Sequence, residues 1–129
     1  GGEAGELVVA DQGNCRIQVF SKAGQLLRMF GERGSQPGQF QVISSVALSP
    51  HGDYVVADVG QQRCHMFSSE GVFAQVLCGP AAKGRGAGEA GGDAVGVIQA
   101  PEGVAVGRSG TVLVVDGAQH RCHVFESLV

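Results

Sequence analysis

Asp11-Gln-Gly-Asn-Cys-Arg16-Ile-Gln-Val-Phe20 is a phrase that this chain writes three times. It returns as Asp58-Val-Gly-Gln-Gln-Arg63-Cys-His-Met-Phe67, and again as Asp116-Gly-Ala-Gln-His-Arg121-Cys-His-Val-Phe125. In each copy Asp leads Arg by five residues and Phe follows Arg by four. Self-similarity at a fixed internal spacing signals a repeat architecture, in which each unit buries its apolar face against the next.

The residues around the phrase repeat as well. An apolar run precedes it in every copy: Leu7-Val-Val-Ala10, Tyr54-Val-Val-Ala57 and Thr111-Val-Leu-Val-Val115. Further upstream, Val46-Ala-Leu48 and Val104-Ala-Val106 lead into the turns Pro50-His-Gly52 and Arg108-Ser-Gly110. Downstream, turns at Gly24 and Gly71 lead to Gln25-Leu-Leu-Arg-Met-Phe30 and Val72-Phe-Ala-Gln-Val-Leu-Cys78. Short β-branched or aromatic runs bounded by Gly turns read as antiparallel strands. Four such strands in a unit of about 45 residues form the blade of a β-propeller. The pattern therefore predicts an all-β chain of about ten strands, a propeller fragment of about 2.5–3 four-stranded blades. Residues 1–129 read as a single segment, with units near 1–31, 40–79 and 98–129. Residues 80–97 read as a flexible Gly/Ala-rich loop, which lacks the GxxxxGK[ST] order of a phosphate cradle.

An Asp at a strand end accepts hydrogen bonds from turn N–H groups and can pair with an Arg on the next strand. The pairs Asp11/Arg16, Asp58/Arg63 and Asp116/Arg121 are accordingly expected to be structural, holding the register of the second and third strands of each unit.

Composition bounds the rest. The chain is 43% hydrophobic and 16% charged with 22 Gly, a mixture that suits short strands and tight turns. Its net charge of -3 offers no electrostatic case for nucleic acid, which calls for a basic face. No apolar run approaches the roughly 18 residues that span a membrane. The four cysteines, Cys15, Cys64, Cys78 and Cys122, form no CxxC pair and lie too far apart for a disulfide scaffold, which points to a reducing, cytoplasmic setting. Cys64-His65 and Cys122-His123 suggest zinc, but adjacent strand residues point to opposite faces, and both pairs are expected as packed core residues.

Gly5 to Phe20, with Asn14 in place, resembles the NHL repeat. The link Gly31-Glu-Arg-Gly34-Ser-Gln-Pro-Gly38-Gln-Phe40 and the run Pro101-Glu-Gly103-Val-Ala-Val106 are similar to that family too. The resemblance covers most of the chain outside 80–97; a WD40 reading is weak because the chain has no Trp. Gln61 and Gln119 stand where the family has Asn, and Ile43 and Ser45 where it has Pro and Gly, which predicts an irregular start to the middle unit. The resemblance implies roughly half a propeller. An open array leaves an apolar face at each end, so a homodimer that completes the propeller is expected over a stable monomer.

Strands alternate direction, so the turns between second and third strands share a rim with the links between units. On that rim the candidate protein-binding residues are Asn14, Arg33, Gln36, Gln61, Arg85, Gln119 and His120. The rim's charges cancel and few aromatics are exposed, poor material for phosphate contacts or base stacking. The residues foremost on the innermost strands, Ser44, Ser45, Ser49, Gln99 and Glu102, fall into no local catalytic motif, so no catalytic, cofactor or metal residue is assigned. The leading expectation is a non-enzymatic protein-interaction module with no cofactor. Because NHL propellers often serve as recognition ends of RING-type ubiquitin ligases, the resemblance implies an adaptor or substrate-recognition link to protein ubiquitination. Four scattered cysteines cannot supply a RING here. An RNA-binding NHL platform is the alternative, and a metal-dependent propeller lyase or hydrolase the third reading.

Overall fold

The computed structural model describes residues 5–78, 101–118 and 121–125. The loop expected at 80–97, with Arg85, and the turn residues Gln119 and His120 lie outside them. Ten strands follow one another: β1 (Leu7–Asp11), β2 (Arg16–Phe20), β3 (Leu26–Phe30), β4 (Ile43–Leu48), β5 (Tyr54–Asp58), β6 (Arg63–Phe67), β7 (Phe73–Cys78), β8 (Pro101–Val106), β9 (Val112–Asp116) and β10 (Arg121–Phe125). They form three antiparallel sheets, β1-β2-β3, β4-β5-β6-β7 and β8-β9-β10, and a 3-10 turn, Gln12–Asn14, joins β1 to β2.

The repeated phrase sets the same register in each sheet. Asp11 pairs with Arg16, Asp58 with Arg63 and Asp116 with Arg121 as backbone partners at the strand ends. The middle unit does start irregularly, with a register shift between Ile43 and Ser45. The third unit carries the same shift between Pro101 and Gly103. The irregularity therefore belongs to the unit and not to the replacement of Pro and Gly in one copy.

At the other end of the sheets one hairpin design recurs four times. Gly24, Gly52 and Gly71 donate to the carbonyls of Ser21, Ser49 and Ser68, and Gly110 donates to that of Gly107, at 2.8–3.0 Å. These glycines have φ of +83° to +91°. This is a type I turn closed by a left-handed residue, a conformation that penalises any Cβ. In three of the turns the Ser hydroxyl adds bonds to backbone N–H groups inside the loop.

The middle sheet is buried on both faces, and β5 is buried throughout. Side chains alternate across a strand. Tyr54 and Val56 join a cluster with Ile17, Val19, Phe30, Phe40 and Phe67 against the first sheet. Val55, Ala57 and Cys64 join Val112 and Val114 of the third. Rings dominate the first interface: Phe30 lies 5.0 Å from Tyr54 and 4.8 Å from Phe67, and Phe40 is 5.6 Å from Phe67. Such contacts stabilise beyond their area. Tyr54 keeps its hydroxyl satisfied by the Arg28 guanidinium at 2.8 Å, and burial pushes its phenol up in pKa against the opposing pull of Arg28. Arg28 in turn lies 3.6 Å from the Glu6 carboxylate.

His65 completes the aromatic cluster. It meets Phe40 edge-on at 5.2 Å, and its Nδ1 accepts from the Gly38 N–H at 3.3 Å. Burial drives its pKa down to about 4, and the neighbouring Arg63 charge acts the same way.

Two outcomes follow from this packing. Gly24→Ala meets open space and should cost only the left-handed penalty, about 1 kcal/mol. In Gly71→Ala the new Cβ would meet the Phe30 ring at 2.8 Å, so its urea midpoint should fall further than that of Gly24→Ala; equal midpoints would contradict the packing. The second concerns pH. An unfolded histidine titrates near 6.5, whereas folded His65 titrates at about 4. Between those values the unfolded chain holds the proton and the native chain does not, so stability falls as pH drops through that window. The loss should reach about 3 kcal/mol and should flatten in His65→Gln, as read from urea unfolding at stepped pH.

Candidate protein-binding rim

The end of the sheets opposite the four hairpins carries the β1–β2 turn, the 31–42 link and the β5–β6 turn. Hydrogen bonds join these three segments into one surface. Gln12 Nε2 donates to the Ile43 carbonyl at 2.8 Å, Arg33 Nη2 to the Gly13 carbonyl at 3.0 Å, and Gln61 Nε2 to the Gln39 carbonyl at 2.7 Å. Within the link, Phe40 N–H donates to the Glu32 carbonyl and Gly34 N–H to that of Phe40, closing a narrow loop over 34–39. Phe40 points inward and is fully buried, anchoring the loop in the core.

The Asp/Arg positions behave differently in the first two copies. Asp11 and Arg16 pair directly, Arg16 Nε donating at 2.8 Å, while Asn14 Nδ2 donates to the same carboxylate at 3.1 Å. The bonds from Arg16 first, then Asn14, hold the Asp11 carboxyl below its usual range. In the second copy Gln61 stands between the partners. Its amide donates to Asp58 Oδ2 at 2.7 Å and its carbonyl accepts from Arg63 Nη2 at 2.7 Å. Arg63 is thereby extended toward the link, where it donates to the Ser35 carbonyl at 2.8 Å. The direct contact expected for Asp58 and Arg63 is thus replaced by a relay, because Gln is one methylene longer than Asn and reaches both groups. In the third copy Asp116 meets His123 Nε2 at 3.2 Å and accepts from the Ala118 N–H at 3.1 Å; the side chain of Arg121 lies outside the described set.

Of the residues singled out from the sequence, Asn14, Arg33 and Gln36 are exposed on this surface, and Gln61 sits beneath it with its amide engaged on both sides. Gln12, Glu32, Gln41 and Gln62 are exposed beside them. The rim therefore offers carboxamides, which both donate and accept, beside the exposed Glu32 and Arg33, the part-exposed Asp11–Arg16 pair and Glu102 next to Gly117. The Gln39 side chain holds the loop from within, donating to Glu32 at 2.7 Å and accepting from the Gln36 N–H at 3.0 Å. Nothing in the repeat pattern marks Gln39 for that role, since the bond depends on how the link folds back.

Away from the rim, the polar residues of the first strands are engaged in structure. Ser44 Oγ donates to the Pro101 carbonyl at 2.6 Å, Val104 N–H donates to Ser45 Oγ at 3.3 Å, and Ser49 Oγ serves its hairpin. Glu102 is exposed, and Gln99 is outside the described residues. Among the described residues no three His, Cys, Asp or Glu side chains come together as a metal site. Cys64, His65 and His123 are buried as packed residues, but Cys122 is exposed. The expectation of a packed Cys122 is corrected: it lies on the outer face of the third sheet, opposite Val115, where no sheet among the described residues covers it.

The relay makes the two turns unequal. Gln61→Ala removes bonds to Asp58, Gln39 and Arg63 from a part-buried site and should cost about 2–3 kcal/mol. Asn14→Ala, at an exposed position, should cost about 0.5 kcal/mol. Urea titration of both variants checks the ranking.

No family model matches the chain. The chain is similar to the protein brain tumor of Drosophila melanogaster, 26% identical over 123 residues, which is 94% of this chain and 10% of that protein. It is also similar to the B-box type zinc finger protein ncl-1 of Caenorhabditis elegans, 48% identical over 44 residues, 34% of this chain and 5% of that one. The chain thus spans about a tenth or less of the length of the curated relatives it matches.

Proposed function

We propose that this chain is a β-propeller segment of NHL type, a non-enzymatic protein-interaction module that uses the rim around Asn14, Arg33 and Gln36. The observation that carries the reading is the rim's chemistry: an exposed band of carboxamides, braced from below by Gln61 and Arg63, with Glu32 and Arg33 offsetting each other in charge. Such a surface can pair with both N–H and C=O groups of a polypeptide, and it has little to offer a row of phosphates. The 3-4-3 succession of antiparallel sheets and the similarity to brain tumor over nearly the whole chain support the propeller assignment. One of these relatives is by name a B-box type zinc finger protein; the proposed adaptor or substrate-recognition link to protein ubiquitination rests on the resemblance to the NHL repeat.

A photo-crosslinking residue placed at Gln36 should capture protein, and the same residue at Lys22, in a hairpin at the opposite end, should capture far less. Arg33→Glu combined with Gln39 left intact should lower capture at Gln36 about fivefold. Adducts that vanish on nuclease treatment would overturn the reading in favour of RNA, and equal capture at Lys22 would show that the rim is not the contact surface.

A further inference from the structure

The four cysteines stand far apart in sequence, and the fold brings two of them level. β6 and β7 run antiparallel, and their backbone register pairs Cys64 with Cys78, the last residue of β7. The register shifts beside that pair: Val76 is the partner of His65, so Leu77 is an extra residue inserted before Cys78. Leu77 packs into the cluster that contains Cys64, Val55 and Ala57. Cys64 is fully buried there and carries a thiol. The other two cysteines are placed elsewhere. Cys15 lies in the β1–β2 turn, its Sγ donating to the Gln41 carbonyl at 3.4 Å, and Cys122 is exposed on the third sheet.

The ladder position of Cys64 and Cys78 meets the demand of a disulfide. Residues directly opposed in an antiparallel pair have Cα atoms about 4.5–5.5 Å apart. A disulfide spans Cα separations of about 4.4–6.8 Å. Packing alone accounts for a cysteine at 64, as a small apolar side chain between sheets. It does not account for a second cysteine level with it on β7.

We infer that Cys64 and Cys78 form a reversible thiol–disulfide switch that fastens the end of β7 to β6. The oxidant is a low-molecular-weight disulfide such as glutathione disulfide. One protein thiolate attacks it, breaking its S–S bond, forming a mixed disulfide and releasing one small thiol. The second protein thiolate attacks the protein sulfur of that mixed disulfide, closing the Cys64–Cys78 bond and releasing the second small thiol. The two electrons and two protons given up by the protein thiols end on the two small thiols. Burial of Cys64 slows this exchange without altering its equilibrium. Among the described strands β7 pairs with β6 alone, so the bond adds a covalent tie to a strand held on one side. Cys64 directly follows Arg63, which braces the 34–39 loop through the Ser35 carbonyl. The oxidised form therefore ties β7 to the strand that supports the rim.

The test compares the folded chain with the same chain in urea. Each is equilibrated with mixtures of glutathione and glutathione disulfide, quenched, alkylated and mapped by mass spectrometry. The folded chain should yield a peptide pair joined through Cys64 and Cys78, with Cys15 and Cys122 alkylated. Half formation of that bond should need about tenfold less glutathione disulfide in the folded chain than in urea, because the register holds the two positions level. The joined form should also unfold at a higher urea midpoint than the reduced form. Cys78→Ser should abolish the joined pair and the gain in midpoint, whereas Cys122→Ser should leave both. A folded chain that shows no joined pair at any ratio overturns the inference. So does a bond from Cys64 or Cys78 to Cys15, to Cys122 or to a second chain in its place, or half formation at the same ratio in urea as in the folded state.

Discussion

The buried carboxylate of Asp58 is the constraint on which the middle of this molecule depends. It has no solvent exposure and accepts from five donors: the N–H groups of Gln41, Val42, Gly60 and Gln61, and the Gln61 side chain. A buried charge without such bonds would be prohibitively costly, whereas a carboxylate fully supplied with donors locks every segment that supplies one. Those segments are the end of the 31–42 link and the β5–β6 turn. One residue thus binds the path into the middle sheet to the hairpin at its centre, and the rim inherits its shape from that junction.

From that junction outward the architecture is repetitive. Every second residue before the phrase Asp faces the preceding sheet, and the alternate ones face the following sheet. The strand that lies between two sheets, β5, must then be apolar on both faces, as Tyr54-Val-Val-Ala57 is. The stack turns its polar turns to one end and its Ser/Gly hairpins to the other.

Local chemistry accounts for how much could be read in advance. Strand positions, the four glycine hairpins and the register at Asp and Arg depend on neighbours in sequence, and they were visible in the pattern. Gln61 illustrates the reverse. Its place in the repeat marked it as a replaced Asn, but its bridging role depends on Gln39 and Arg63 being brought to it from 22 residues before and two after. Arg63 reaching the Ser35 carbonyl, His65 receiving the Gly38 N–H and Ser44 reaching the Pro101 carbonyl are of the same kind. Cys122 was misplaced because a strand pattern does not say whether a neighbouring sheet covers a given face.

The sequence by itself determined an all-β chain of repeated antiparallel units and the surface on which its turns gather. Alternation, turn chemistry and the spacing of Asp, Arg and Phe act over a few residues and need no knowledge of distant segments. Only the tertiary structure decided which polar residues brace the rim and which lie exposed on it. Those outcomes depend on how one unit's loop meets the next unit's turn, a distance set by sheet-on-sheet packing and invisible in the linear order of residues.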